Sequence, residues 1–95
     1  GRILGGYIRY MLDVQQVPYE MVRWTKDETW IKVKSEDFTA RYEMAPLDEL
    51  VDAYEAQWNG AAKTLVSPEW SCVIEDRDEE DMLIKVIRKE DLRML

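Results

Sequence analysis

Histidine is absent from this 95-residue chain and cysteine occurs once, at Cys72. Without histidine, a nucleophilic serine or cysteine lacks its usual base, and no Cys/His metal set can be assembled. One cysteine forms no internal disulfide, so a reducing, cytoplasmic setting is the expected one. Glycine (four) and proline (three) are sparse, and no glycine-rich phosphate loop or low-complexity linker is present. No apolar run approaches the ~18 residues of a membrane span. The segment "ILGGYIRYML" is interrupted by Arg9 and is followed by no small-residue cleavage pattern, so it is not read as a signal sequence. Cations are also outnumbered, 13 against 20 carboxylates for a net charge of −7, which argues against general affinity for nucleic acid or anionic membrane.

Apolar residues are plentiful. Hydrophobic side chains make up 46% of the chain and aromatics 11%, with four Trp and five Tyr, enough for a packed core and outside the range of disorder. A chain this small buries only ~60–65% of its unfolded surface, so each large side chain matters.

Residues 3 to 14 place Ile3, Leu4, Tyr7, Ile8, Met11 and Leu12 at helical spacing. Gly5-Gly6 opposes a helix, and a strand from Tyr7 with Ile8, Tyr10, Leu12 and Val14 alternating is the rival. The helix is preferred, ending before Val17-Pro18, because proline drives its predecessor out of the helical region.

The segments "YEMVRWT", "TWIKVKS" and "FTARYEM" read as three strands joined by tight turns at Asp27-Glu28 and Glu36-Asp37. One face then carries Val22, Trp24, Ile31, Val33, Phe38, Ala40, Tyr42 and Met44. "PLDELVDAYEAQW" is a helix with Pro46 in its first turn, Asp48 and Glu49 at its positive end and Asn59-Gly60 as its stop. Its stripe is Leu47, Leu50, Val51, Tyr54 and Trp58. "EWSCVIE" and "MLIKVIR" form a hairpin, and "KEDLRML" closes with a helical turn. The expected fold is therefore α+β, a single domain over residues 1–95. Its antiparallel sheet, a three-stranded meander plus a C-terminal hairpin, is packed by one or two helices in the order α-βββ-α-ββ(α).

In that pairing Arg23 lies opposite Lys32 and Lys32 opposite Arg41. Lys34 shares their side of the sheet with Met21, Thr25, Trp30 and Thr39. Like charges facing one another cost a few tenths of a kcal/mol, which an anionic partner would relieve. The plainer reading is a solvated face whose cationic stems shield the sheet and whose heads find the protein's own carboxylates. Residues 75 to 81, "EDRDEED", hold six carboxylates (Glu75, Asp76, Asp78, Glu79, Glu80, Asp81). They suit a basic partner or a self-repelling hairpin loop, and lack the glycine and closing glutamate of a calcium loop. Trp24, Trp58 and Trp70 fall in apolar sets and are assigned to the core, as is Cys72.

The order α-βββ-α is similar to that of double-stranded-RNA-binding domains, which read phosphates with lysines at the start of their second helix. The matching "PLDEL" is acidic, so that function does not carry over. The full order, with its acidity, is similar to that of the small secretion chaperones of type III systems, which implies dimers holding unfolded protein segments.

The expectation is a small acidic non-enzymatic module that binds another protein in an escort, inhibitory, immunity or phage-interference role. It needs no cofactor or metal. Its contacts would be Arg23, Trp30, Lys32, Lys34 and Arg41, with the acidic loop as a second patch. A homodimer through a sheet edge or the N-terminal helix accompanies this reading. Nucleic-acid binding through the same cationic face, around Arg23, Trp30, Lys32 and Arg41, is the alternative.

Overall fold

The computed structural model describes residues 2–41, 46–67, 69–75 and 80–88. It is an α+β fold in which helices pack on an antiparallel four-stranded sheet.

The first element is helix α1, Arg2–Val14. Leu4, Ile8 and Leu12 of its inner face are fully buried, and that burial outweighs the cost of two glycines. Gly5 is required by packing: a Cβ there would lie 2.6–2.8 Å from the side-chain atoms of Thr29. The helix ends before Pro18, as expected, in a Schellman motif. Gln16 takes the left-handed conformation (φ 59°). Its N–H bonds the Asp13 carbonyl at 3.1 Å, and the Val17 N–H bonds that of Leu12 at 2.9 Å. Buried Val17 and Leu12 supply the apolar contact typical of the motif.

Strands β1 (Glu20–Trp24) and β2 (Thr29–Lys34) form a hairpin, but not through a two-residue turn at Asp27-Glu28. The loop is Thr25–Glu28, closed by the Thr25 N–H to the Glu28 carbonyl and by the Glu28 N–H to Thr25 Oγ1, both 2.9 Å. Trp24 therefore pairs with Thr29, and Arg23 with Trp30 rather than Lys32. A bulge at Val22 returns Met21 to the inner side, opposite Ile31. Val22, expected inside, is 48% exposed, and Trp24, expected in the core, is 38% exposed at the sheet edge.

The expected third strand is not formed where the structure describes it. Ser35–Thr39 is a short helix, α2, and Ala40 and Arg41 follow it as exposed residues. Glu36 and Asp37 lie in its first turn, where acidic side chains favour a helix start, and Thr39 Oγ1 bonds back to the Ser35 carbonyl at 3.0 Å. Phe38 stays buried, its ring edge-on to Tyr54 at 5.1 Å. Residues 42–45, with Tyr42 and Met44 of the expected inner face, lie outside the described residues, as does the expected closing turn at 89–95.

Helix α3, Leu47–Ala61, begins behind Pro46 as read from the sequence. It does not stop at Asn59-Gly60. It runs to Ala61 and widens into a π-helical turn, Ala62–Val66, closed by the Ser67 N–H on the Ala62 carbonyl at 2.9 Å. Leu50, Val51 and Trp58 are buried, with Leu47 and Tyr54 packed beside them.

Strands β3 (Trp70–Glu75) and β4 (Asp81–Arg88) are the expected hairpin. The place beside β2 belongs to β4, so the order is β1-β2-β4-β3 rather than a meander beside a separate hairpin. Cys72, Ile74, Met82, Ile84 and Val86 join Ile31 and Val33 in one core beneath α1 and α3. No described helix is long and apolar enough to cross a membrane.

Candidate interaction surface

The face of the sheet opposite the core is organised around Trp30. Register sets Arg23 of β1 on one side of it and Lys85 of β4 on the other. Lys85 Nζ stands 4.4 Å from the indole centroid and the Arg23 guanidinium 5.2 Å, close enough for cation–π attraction from both. The next row reads Glu20, Lys32, Leu83, Glu75, and the one after sets Lys34 against Asp81.

The cations of this face have carboxylates beside them. Arg23 pairs with Glu28 at 3.1 Å, Lys32 with Asp81 at 3.6 Å and Lys85 with Glu75 at 2.8 Å. The expected row of facing like charges is thus replaced by alternating signs, which removes the repulsion that an external anion was to relieve. Exposed pairs contribute little to stability, and Lys85–Glu75 is half-buried; together the three leave the face nearly neutral.

Of the predicted contact residues, the sheet brings together Arg23, Trp30, Lys32 and Lys34. Arg41 is not among them, because β4 fills the position that its strand was to occupy. Glu75, Glu80 and Asp81 of the acidic loop are described, whereas Asp76, Asp78 and Glu79 lie outside the described residues. Lys85 was missed because its place beside Trp30 depends on the distant pairing of β2 with β4. Lys32, Lys34 and Asp81 also line an open groove of about 380 Å³ with Pro18, Tyr19, Glu20 and Asp37. Three carboxylates and two amines meet there, with no dominant sign.

Cys72 is unsuited to nucleophilic work. Burial, assisted by the Glu55 carboxylate, pushes its thiol far above the ordinary range, so it stays protonated.

A second surface stands out by its apolar character. The large hydrophobic side chains that are most exposed among the described residues are Ile3 (70%), Tyr10 (64%) and Val14 (57%) of α1, with Val22 and Trp24 of β1. The two elements meet at Gly6, where Trp24 Cη2 lies 3.8 Å from the position of an added Cβ. Gly6 is three residues from Ile3 and four from Tyr10, so the indole sits in a notch between them. This surface had a trace in the sequence. Residues 3 to 14 carry more apolar positions than one buried face can use, and the surplus forms the outer stripe.

No protein-family model, no curated protein and no solved structure matches the chain.

Proposed function

We propose that this protein is a non-catalytic protein-binding module that docks through the surface formed by α1 and β1. The observation that carries the reading is that Ile3, Tyr10, Val14, Val22 and Trp24, the strongly exposed large apolar side chains among the described residues, all lie on these two elements. Exposed apolar side chains gathered on two elements of so small a domain are what interaction sites leave on a free surface. Trp24 is the anchor, since aromatic side chains at the centre of an interface supply a large share of its affinity. Arg23 and Glu28 adjoin it on β1 and the hairpin loop, and the cationic sheet face and the 75–81 loop are flanking contacts. A reducing, cytoplasmic setting suits a chain whose one thiol is buried and unpaired.

The test is capture of partners by immobilised protein with and without nuclease, comparing the native chain with Trp24→Ala and Tyr10→Glu. A protein band that survives nuclease and is lost with either variant supports the reading. A band that both variants retain overturns it, and a capture abolished by nuclease moves the Arg23–Trp30–Lys85 cluster and a nucleic-acid partner to the front.

A further inference from the structure

We propose that Asn59-Gly60 is a covalent modification site: it undergoes spontaneous deamidation, gated by the docking of α3 on β3, and the products release the helix from that strand permanently. The site lies at the far edge of the sheet from the α1–β1 surface and does not depend on it.

Asn59 is the one asparagine of the chain, and glycine follows it. Packing does not call for that glycine. It lies inside α3, which runs on to Ala61, and its φ is not positive. An added Cβ would meet nothing within 4 Å, in contrast to Gly5 against Thr29. A glycine in a helix interior weakens it, and the next turn, Ala62–Val66, is π-helical, a form that chains adopt rarely. This end of the helix is therefore poised to unwind. Glycine also grants access, because without a side chain its backbone nitrogen closes on the preceding residue with little steric resistance.

The chemistry needs only water. The Gly60 nitrogen sheds its proton and attacks Cγ of Asn59. A C–N bond forms, the bond from Cγ to the amide nitrogen breaks, and ammonia leaves. Water then opens the cyclic imide at one carbonyl to give aspartate, or at the other to give isoaspartate. In the docked helix the attack is blocked twice. The Gly60 N–H points along the helix toward the carbonyl of the preceding turn. The Asn59 amide is held in all of its hydrogen-bonding positions. Its nitrogen donates to the Glu55 carbonyl at 2.9 Å and to the Cys72 carbonyl at 2.8 Å. Its oxygen accepts from the Cys72 N–H at 2.8 Å and from the Ser71 hydroxyl at 3.0 Å. Only molecules in which the helix end has unwound react.

The product cannot return to the strand. Aspartate has no N–H to give, so an oxygen stands against the Glu55 and Cys72 carbonyls where the amide nitrogen had bonded them. The Cys72 carbonyl loses its donor, and a new carboxylate lies four residues from Glu55, an unfavourable spacing for like charges on a helix. Isoaspartate carries the backbone through the former side chain and so breaks the helical repeat. Each converted molecule thus keeps a covalent record that its helix end has opened. Cys72, buried in the docked state, is the reporter, because its thiol becomes reachable once α3 loosens.

The test ages the full chain at physiological temperature and mildly alkaline pH, folded and in urea. Peptide mapping by mass spectrometry follows Asn59, and a thiol reagent added to the same samples follows Cys72. Asn59 is expected to convert roughly ten- to a hundredfold more slowly in the folded chain than in urea, with isoaspartate among the products. Converted molecules, separated by their extra negative charge, should label at Cys72 roughly tenfold faster than unconverted ones. Gly60→Ala, whose methyl meets no neighbour, should slow conversion roughly tenfold or more even in urea, and should keep Cys72 protected. Asn59→Asp should label from the start as the aged chain does, and the separated native product supplies that state should the variant not fold.

Equal rates in the folded and unfolded chain would overturn the gating. An Asn59 that stays intact in the folded chain long after the reaction in urea is complete would overturn the site itself. Conversion indifferent to Gly60→Ala, or converted molecules whose Cys72 stays as protected as before, would each overturn the proposal too.

Discussion

The two edges of the sheet are finished in opposite ways. Along β3, helix α3 takes the place of a fifth strand. The Asn59 amide donates to the Cys72 carbonyl at 2.8 Å and accepts from the Cys72 N–H at 2.8 Å, while the Ser71 hydroxyl donates to the same Asn59 oxygen at 3.0 Å. One helical turn back, the Glu55 carboxylate accepts from the Ile74 N–H at 2.8 Å. The match is geometric. Four residues of helix rise about 6 Å, and two residues of strand advance about 6.6 Å, so side chains at i and i+4 meet alternate backbone groups. Along β1 no such substitute strand is present among the described residues. That edge is blunted instead, by the Val22 bulge and by charge at Glu20 and Arg23. One edge is satisfied and the other merely discouraged from pairing, and the apolar side chains left exposed gather beside the second.

The sharpest way to break the contrast is Asn59→Ala. It removes the bonds to Cys72 and Ser71 and leaves backbone groups of a half-buried strand unpaired, at a cost of about 3 kcal/mol in urea unfolding; Glu55→Ala, which loses the bond from the Ile74 N–H, should cost about half as much. Gly5→Ala tests the seat of α1 on β2. The new methyl meets Thr29 at under 3 Å, so about 2 kcal/mol should be lost, whereas Gly6→Ala, with only Trp24 nearby at 3.8 Å, should gain up to about 1 kcal/mol from helix propensity. Equal effects at the two glycines would show that α1 is not held against Thr29. Gln16→Gly should raise stability by about 1 kcal/mol by relieving a left-handed residue, read as a rise in melting temperature. Smallest is Val22→Thr on the blunted edge, expected within about 0.5 kcal/mol of the native chain. A loss comparable to that at Asn59 would mean that the β1 edge is covered as fully as β3.

These predictions also show which features were legible in the sequence. The start of α3, the β3–β4 hairpin and the end of α1 before Pro18 depend on local signals, and the local signals were sufficient; the Asn59-Gly60 stop was not, because Asn59 is engaged by β3. Ser35-Glu36-Asp37 was ambiguous, because acidic residues after a serine serve a tight turn and a helix start equally well. Phe38 is buried under either outcome, so hydrophobic pattern did not separate them. Once β4 took the edge of β2, the Lys32–Arg41 opposition vanished and Lys85 came to lie over Trp30. That change follows from a pairing some fifty residues apart in the chain, which period and propensity do not encode. The seat of Gly5 on Thr29 was hidden for the same reason, since a glycine that weakens a helix locally is required only by what crosses it.

The substitute strand along β3 also determines how the molecule opens. Asn59 and Glu55 reach Cys72 and Ile74 only while α3 is docked, so the amides of these two residues lose protection whenever the helix lifts. Hydrogen exchange at Cys72 and Ile74 therefore reports the free energy of undocking a helix elsewhere in the chain, and α3 and β3 open as one cooperative unit. The bulged β1, tied to the sheet on one side only, lies outside that unit and is free to exchange first. The order in which amides take up deuterium would trace the molecule from its blunted edge toward its satisfied one.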